Sequence, residues 1–364
     1  MIKPARKEIE SLTPYVPGKP IEELERELGI REAIKLASNE NPFGPSPRAQ
    51  RALIRGLAGI NRYPDGSCFI LKRALSAALQ VPEDRVVFGN GSNEIIELLV
   101  RTFLKPGAEA VTAESTFLVY DLIVQAAGGK IRKAPLVKFT YDLPAMRSLV
   151  NRKTTLVFIA NPNNPTGTIV REPELVRFLR GLPKNILVVM DEAYAEFATD
   201  PQYPRSLKLL SAFPNLVILR TFSKIYGLAG LRIGYGIARP EIVDYLNRVR
   251  QPFNVSSLAQ AAACAALTDT PFLKKTTGNN RRGLQFLYRE FKRLGLRYIP
   301  TQANFVLFAV PGPGEKYYQL LLREGVIVRP MGGYKLPDWL RATVGLPREN
   351  TRLIQALKKI LLKT

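Results

Sequence analysis

The sequence predicts an α/β protein: a large domain on a mainly parallel sheet flanked by helices, followed by a smaller α+β domain. Three observations predict it. Apolar runs of strand length alternate with helical patterns through the middle of the chain, which is the rhythm of a parallel sheet covered on both faces. Every polar cluster of interest falls at the end of such a run, and open α/β sheets bind ligands at the carboxyl ends of their strands. The texture then changes after about residue 270, where short strands and helices are punctuated by Pro and Gly. Residues 1–45 lack a strand-helix rhythm and are expected to pack with the small domain or a partner subunit. Residues 46–270 form the expected large domain and 271–364 the small one.

The elements follow in order. Arg85-Val86-Val87-Phe88 reads as a strand, then Gly89-Asn90-Gly91-Ser92-Asn93 opens a helix running through Glu94 to Val100. Ala110-Val111-Thr112 is a short strand. Thr155-Leu156-Val157-Phe158-Ile159 precedes a turn rich in Pro and Asn, and Ile186 to Met190 runs into Asp191. Leu216-Val217-Ile218-Leu219 leads into Thr221-Phe222-Ser223-Lys224. Further on, a helical stretch from Asn280 to Leu294 is followed by strands at Asn304–Phe308 and Val326–Arg329. No internal repeat or long Gly/Ser linker interrupts the series.

Composition removes several function classes. With 364 residues, 46% hydrophobic and 23% charged, the chain can bury a large core. It has no histidine and two cysteines, Cys68 and Cys264, so neither a zinc site nor a Ser-His triad is expected, and no metal. No apolar stretch is long enough for a bilayer, and Met1 to Lys7 has no signal core behind it. A cytoplasmic protein without a membrane partner is expected. The net charge of +22 is spread over singles and pairs such as Lys274-Lys275 and Arg281-Arg282, with no basic arm. That pattern argues against nucleic acid and for a field that draws anionic substrates, or a solvated face.

Lys224 carries the chemistry. A lysine beside two hydroxyls, Thr221 and Ser223, with Arg232 eight residues on in a Gly-rich turn, can form a Schiff base with an aldehyde cofactor while its neighbours hold a phosphate. Pyridoxal 5'-phosphate (PLP) is the candidate. Asp191, ending its strand, can pair with a protonated pyridine nitrogen, and Tyr194 can hydrogen-bond the ring's 3-oxygen. Asn164, in Asn161-Pro162-Asn163-Asn164-Pro165-Thr166-Gly167, is a second donor to that oxygen. Gly91, Ser92 and Asn93 open a helix whose N–H groups and dipole suit the phosphate. Phe117 can stack on the ring. Arg341 and Arg329 present planar forks for a carboxylate or phosphate. Each also has a plain structural reading: an N-cap Asp, a tight turn, a core aromatic, surface ion-pair arginines and a solvated lysine.

Together these runs resemble the fold-type-I PLP-dependent aminotransferases over nearly the whole chain. Leu12–Pro20, Leu36-Ala37-Ser38-Asn39-Glu40-Asn41-Pro42, Arg62-Tyr63-Pro64, Ala303-Asn304-Phe305 and Val328 through Gly345 resemble the histidinol-phosphate aminotransferase family in particular. The resemblance implies a homodimer with active sites at the interface, Tyr63 contacting the partner's cofactor phosphate, and Tyr15 closing over the substrate. It also implies substrate contacts at Asn41, Asn164, Arg329 and Arg341. The expected reaction exchanges an amino group between a phosphorylated amine and a 2-oxo acid. Aromatic amino acid aminotransferases and threonine-phosphate decarboxylases share part of the pattern. Asn93 and Ser115 depart from it, standing where Asp and Pro are common, and Ala342 replaces a usual β-branched residue.

Overall fold

The structure is a computed structural model, and it describes residues 5–363. Residues 1–4, within the stretch read for a signal core, lie outside the described part. Its strands are β1 (Ile34–Lys35), β2 (Val86–Gly89), β3 (Glu109–Ala113), β4 (Lys130–Ala134), β5 (Leu136–Val137), β6 (Thr140–Tyr141), β7 (Thr154–Ala160), β8 (Leu187–Asp191), β9 (Leu216–Thr221), β10 (Gly234–Ile237), β11 (Tyr298–Ile299), β12 (Phe305–Ala309), β13 (Val326–Ile327), β14 (Arg329–Pro330) and β15 (Trp339–Thr343).

Seven strands form the large sheet in the order β2-β10-β9-β8-β7-β3-β4. The pairs from β9 to β4 are parallel; β10 is antiparallel to both neighbours. Alternate residues of each central strand enter different cores. Val157, Ile159, Val188 and Met190 face one layer of helices. Leu156, Phe158, Val189 and Leu219 face the other. This period of two on strands apolar throughout is what a doubly covered sheet requires.

The insertion of β10 is not legible in the sequence. Gly234-Tyr235-Gly236 has poor strand propensity, yet the site needs its small residues. A Cβ at Gly234 would lie 2.5 Å from the Ser92 backbone nitrogen, so only glycine lets β10 pass under the helix Gly91–Phe103.

The second sheet, β11-β12-β15-β14, is antiparallel and packs on the helices Thr270–Arg293 and Pro347–Leu361 through Leu287, Phe291, Phe308, Leu340 and Leu357. The helix Thr270–Arg293 begins earlier than the expected 280, with Asp269 capping the Phe272 amide. The apolar run Val326–Arg329 is not one strand. β13 pairs in parallel with β1, and β14 joins β15. The chain changes partner at Val328, and Pro330, which lacks an N–H, suits the sheet edge. Through β1, and through Leu24 and Ala37 against Leu322 and Ile327, the N-terminal segment lies on the C-terminal part of the chain. Among the described residues no helix is long and apolar enough to cross a membrane.

Candidate active site

The carboxyl ends of β7, β8 and β9 converge on a cavity of about 390 Å³, closed on the far side by residues 37–40, Arg329 and Arg341. Register brings the ends together: Ala160 lies opposite Asp191, and Asp191 opposite Leu219, two residues before Thr221.

Asp191 is 5% exposed. Its Oδ2 accepts the Tyr120 hydroxyl at 2.8 Å and its Oδ1 the Ala193 amide at 3.3 Å. Tyr120 is held by stacking on Phe158, with Phe117 edge-on to it. Burial pushes the Asp191 carboxyl up to about 6 despite the Tyr120 hydrogen bond. Lys224 Nζ donates to the Ser38 carbonyl at 3.1 Å and stands 5.7 Å from the centre of the Tyr194 ring. Burial, and then the Arg341 guanidinium, bring its amine down to about 8. The site therefore holds a carboxylate wanting a cation and an amine that is partly neutral near physiological pH.

A cup of donors lies at the other end. Thr221 Oγ1 donates to Ser223 Oγ at 2.9 Å, and the Ser223 amide bonds back to Thr221 Oγ1. Gly91 and Ser92 begin the facing helix, with Asn93 beside them in the cavity wall. Arg232 closes the cup, and a Cβ at Gly91 would stand 2.8 Å from its Nη2. That glycine has φ +73°. Here the missing side chain leaves room for backbone N–H groups and a guanidinium to meet one anion.

On the opposite wall Arg341 (β15) and Arg329 (β14) are direct cross-strand partners. Like charges placed so repel. Arg341 is 5% exposed, bonds Asn164 Oδ1 and the Ala37 carbonyl, and leaves its Nε buried without a partner. Arg329 donates to the Val16 carbonyl at 2.6 Å and lies over the Tyr15 ring. Among the described residues no carboxylate forms an ion pair with either.

Most of the sequence-predicted residues thus line one cavity: Tyr15, Gly91, Ser92, Asn93, Phe117, Asn164, Asp191, Tyr194, Thr221, Ser223, Lys224, Arg232, Arg329 and Arg341. Two do not. Asn41 turns its amide to the Ile225 carbonyl and Thr276 and does not reach the cavity wall, so its place in the structure is to tie the N-terminal loop down. Tyr63 is 84% exposed and stacks on Phe253, away from the cavity. Sequence reasoning passed over Tyr120 and Asn39. Their partners, Asp191 and Tyr194, are 71 and 155 residues away, a pairing that no local pattern carries.

These residues fit PLP on structural grounds: an unneutralised buried carboxylate, a lowered amine and a cup of donors for a phosphate. The fold and site are those of a PLP-dependent transaminase. A family model described as aminotransferase class I and II matches residues 31–357, and the chain belongs to that family. It is similar to histidinol-phosphate aminotransferase 1 of Nitrosococcus oceani, 53% identical over 97% of this chain and 95% of that protein. It is 52% identical to the histidinol-phosphate aminotransferase of Anaeromyxobacter sp. over 97% of this chain and 98% of that one. Among solved structures, histidinol-phosphate aminotransferase from Sinorhizobium meliloti in complex with pyridoxal-5'-phosphate superposes with a TM-score of 0.91, at 30% identity, covering 100% of this chain and 99% of that one.

The raised Asp191 carboxyl has a stability consequence. A free Asp titrates near 3.8 and the folded group near 6. The fold favours the protonated form, so this stabilising contribution is full below the lower value and is lost as pH rises through the higher. Without cofactor, Asp191→Asn is expected to gain about 2–3 kcal/mol over the wild type between about pH 4 and pH 7. Denaturant unfolding of both proteins at the two pH values measures it. A stability difference that does not vary with pH would mean that the carboxylate is not desolvated.

Proposed function

We propose that the chain transfers an amino group reversibly between histidinol phosphate and 2-oxoglutarate, giving imidazole-acetol phosphate and glutamate, in histidine biosynthesis in the cytoplasm. The observation that carries the substrate choice is the Arg329–Arg341 pair, two cross-strand guanidiniums, one of them buried, that pair with no carboxylate among the described residues and lie in the same cavity as Lys224. One donor carries a phosphate and no carboxylate; the other substrate carries two carboxylates. A planar guanidinium fork accepts either anion.

When bound, PLP supplies the aldehyde that carries the amino group and a ring that draws electrons from the substrate α-carbon. Lys224 Nζ would hold that aldehyde, and its free amine would act as the base for the proton on the substrate α-carbon. Its lowered basicity keeps a neutral fraction available for this. Asp191, kept in place by Tyr120, would hold the positive charge of the ring nitrogen. Tyr194 and Asn164 would hydrogen-bond the ring oxygen, and Phe117 would stack on the ring. Gly91, Ser92, Asn93, Thr221, Ser223 and Arg232 would hold the cofactor phosphate. Tyr15, already over Arg329, covers the substrate.

The same reading includes a homodimer. Ile54, Leu57, Ile60, Tyr63, Phe69 and Ile70 are exposed within one stretch of chain, and Phe253 stacks on Tyr63. A second copy covering them would be the dimer that the family resemblance implies, in which its Tyr63 contacts this subunit's cofactor phosphate.

The test uses PLP-loaded protein, histidinol phosphate and no acceptor. Conversion of the visible cofactor absorbance to that of the pyridoxamine form is expected. Absence of conversion with histidinol phosphate, with conversion by phenylalanine, tyrosine or threonine phosphate, would transfer the assignment to one of those substrates.

A further inference from the structure

Tyr194 belongs to the large sheet's loops, yet its hydroxyl is bonded from the other side of the cavity. Asn39, 1% exposed, sits in the left-handed region at φ +55° and donates from Nδ2 to Tyr194 Oη at 2.9 Å. Its amide orientation is set by β15. The Asn39 backbone N–H donates to Thr343 Oγ1 at 2.9 Å, and the Thr343 hydroxyl gives its own proton to Asn39 Oδ1 at 3.3 Å. Oδ1 thus faces a donor, which leaves the NH2 for Tyr194. From the same sheet, Asn304 Nδ2 holds the Asn39 carbonyl at 3.0 Å. Tyr194 Oη therefore accepts on its outer side, and among the described residues nothing accepts its proton.

We infer that Asn39 is a positioning residue that fixes the direction of the Tyr194 hydroxyl, occupying its acceptor side so that its proton points into the cavity toward the ring oxygen of the cofactor. The inference rests on the PLP reading and goes beyond it. A tyrosine hydroxyl can turn its proton either way at little cost, so lining the cavity does not make it a donor there. Burial holds Tyr194 up at about 12, so it remains a phenol through the working range. The titratable and charged groups facing it are Lys224, Asp191, Arg341 and Tyr334. Because Asn39 is held by Thr343 and Asn304, the polarity of the Tyr194 hydrogen bond depends on how the small sheet sits against the large one.

The experiment is a pH titration of the visible absorbance of PLP-loaded protein. Hydrogen bonds to the ring oxygen favour its deprotonated form and keep the spectral midpoint low. Asn39→Asp is nearly isosteric and tolerates the left-handed backbone, but it presents an acceptor to Tyr194 and draws the proton out of the cavity. It is expected to raise the midpoint by about one to two pH units, the size of one hydrogen bond to a charged group. Asn39→Ala, which leaves the hydroxyl free to turn, is expected to raise it less. Thr343→Val keeps the core volume and removes the hydroxyl that orients the amide. It too is expected to raise the midpoint, and it decides the matter if the Asn39 variants do not fold. Wild-type midpoints in the folded variants would overturn the inference. A wild-type protein that acquires no visible band with PLP would overturn the cofactor reading instead.

Discussion

Lys224→Ala is expected to lose at least about 10⁴-fold in turnover while keeping its fold and its affinity for the cofactor phosphate. The loss is large because one atom has two tasks. On the proposed reading Nζ is both the nucleophile that would hold the aldehyde and the base at the substrate α-carbon. No neighbour offers a replacement: Asp191 accepts from Tyr120 and is assigned to the ring nitrogen, and Tyr194 keeps its proton. The fold should survive because, among the described residues, Nζ makes one hydrogen bond, to the Ser38 carbonyl, and burial disfavours the charged amine there without cofactor. Lys224→Arg separates charge from reactivity. It keeps a cation facing Asp191 but has no deprotonated form at any working pH, so it should lose as much as Ala. In both variants borohydride should no longer fix the cofactor to the chain, while the donor cup of Thr221, Ser223 and Arg232 still retains it. Near-normal turnover of the Ala variant would sink the assignment. The basicity of the free amine adds a pH dependence. Capture of PLP by the cofactor-free wild type needs the neutral amine, so its rate should rise with pH up to about 8 and then level off.

The central strands and the Lys224 cluster were legible because their signal is local. A continuous apolar strand ending on a polar residue is written in adjacent positions, and β7, β8 and β9 all have that form. What the sequence hid depends on distant chain. β10 is a strand because two glycines fit beneath a helix, a packing fact with no period to read. Val326–Arg329 reads as one apolar run, yet its two halves bond to different sheets. Asn41 and Asn39 sit two positions apart in the same loop. Expectation placed the substrate contact at Asn41, but the left-handed turn at Asn39 aims that residue at Tyr194 and leaves Asn41 for Ile225 and Thr276. Such a choice is made by backbone conformation, to which the residue types do not point.

Arg341→Ala is expected to weaken both half-reactions, by about 10²–10³-fold in kcat/KM, the loss typical of removing one partner from a buried charge-assisted contact. Arg341 is fixed before any substrate arrives. Asn164 Oδ1 and the Ala37 carbonyl hold its fork, and the Phe305 ring lies 5.2 Å from it. Its remaining Nε is buried without a partner, and its cross-strand neighbour is another arginine. An anion in the cavity relieves the repulsion between the two guanidiniums, so on the proposed reading a phosphate and a carboxylate can share this anchor although their shapes differ. Arg329 is half-buried and bonded to the Val16 carbonyl, so Arg329→Ala, which leaves less desolvated surroundings behind, should lose less. Arg341→Lys keeps the charge but not the fork, and should fall between wild type and Ala. The check is single-turnover kinetics of each half-reaction, histidinol phosphate with the PLP form and 2-oxoglutarate with the pyridoxamine form. Loss confined to one of them would mean that the two substrates use separate anchors, and the paired arginines would then need a different explanation.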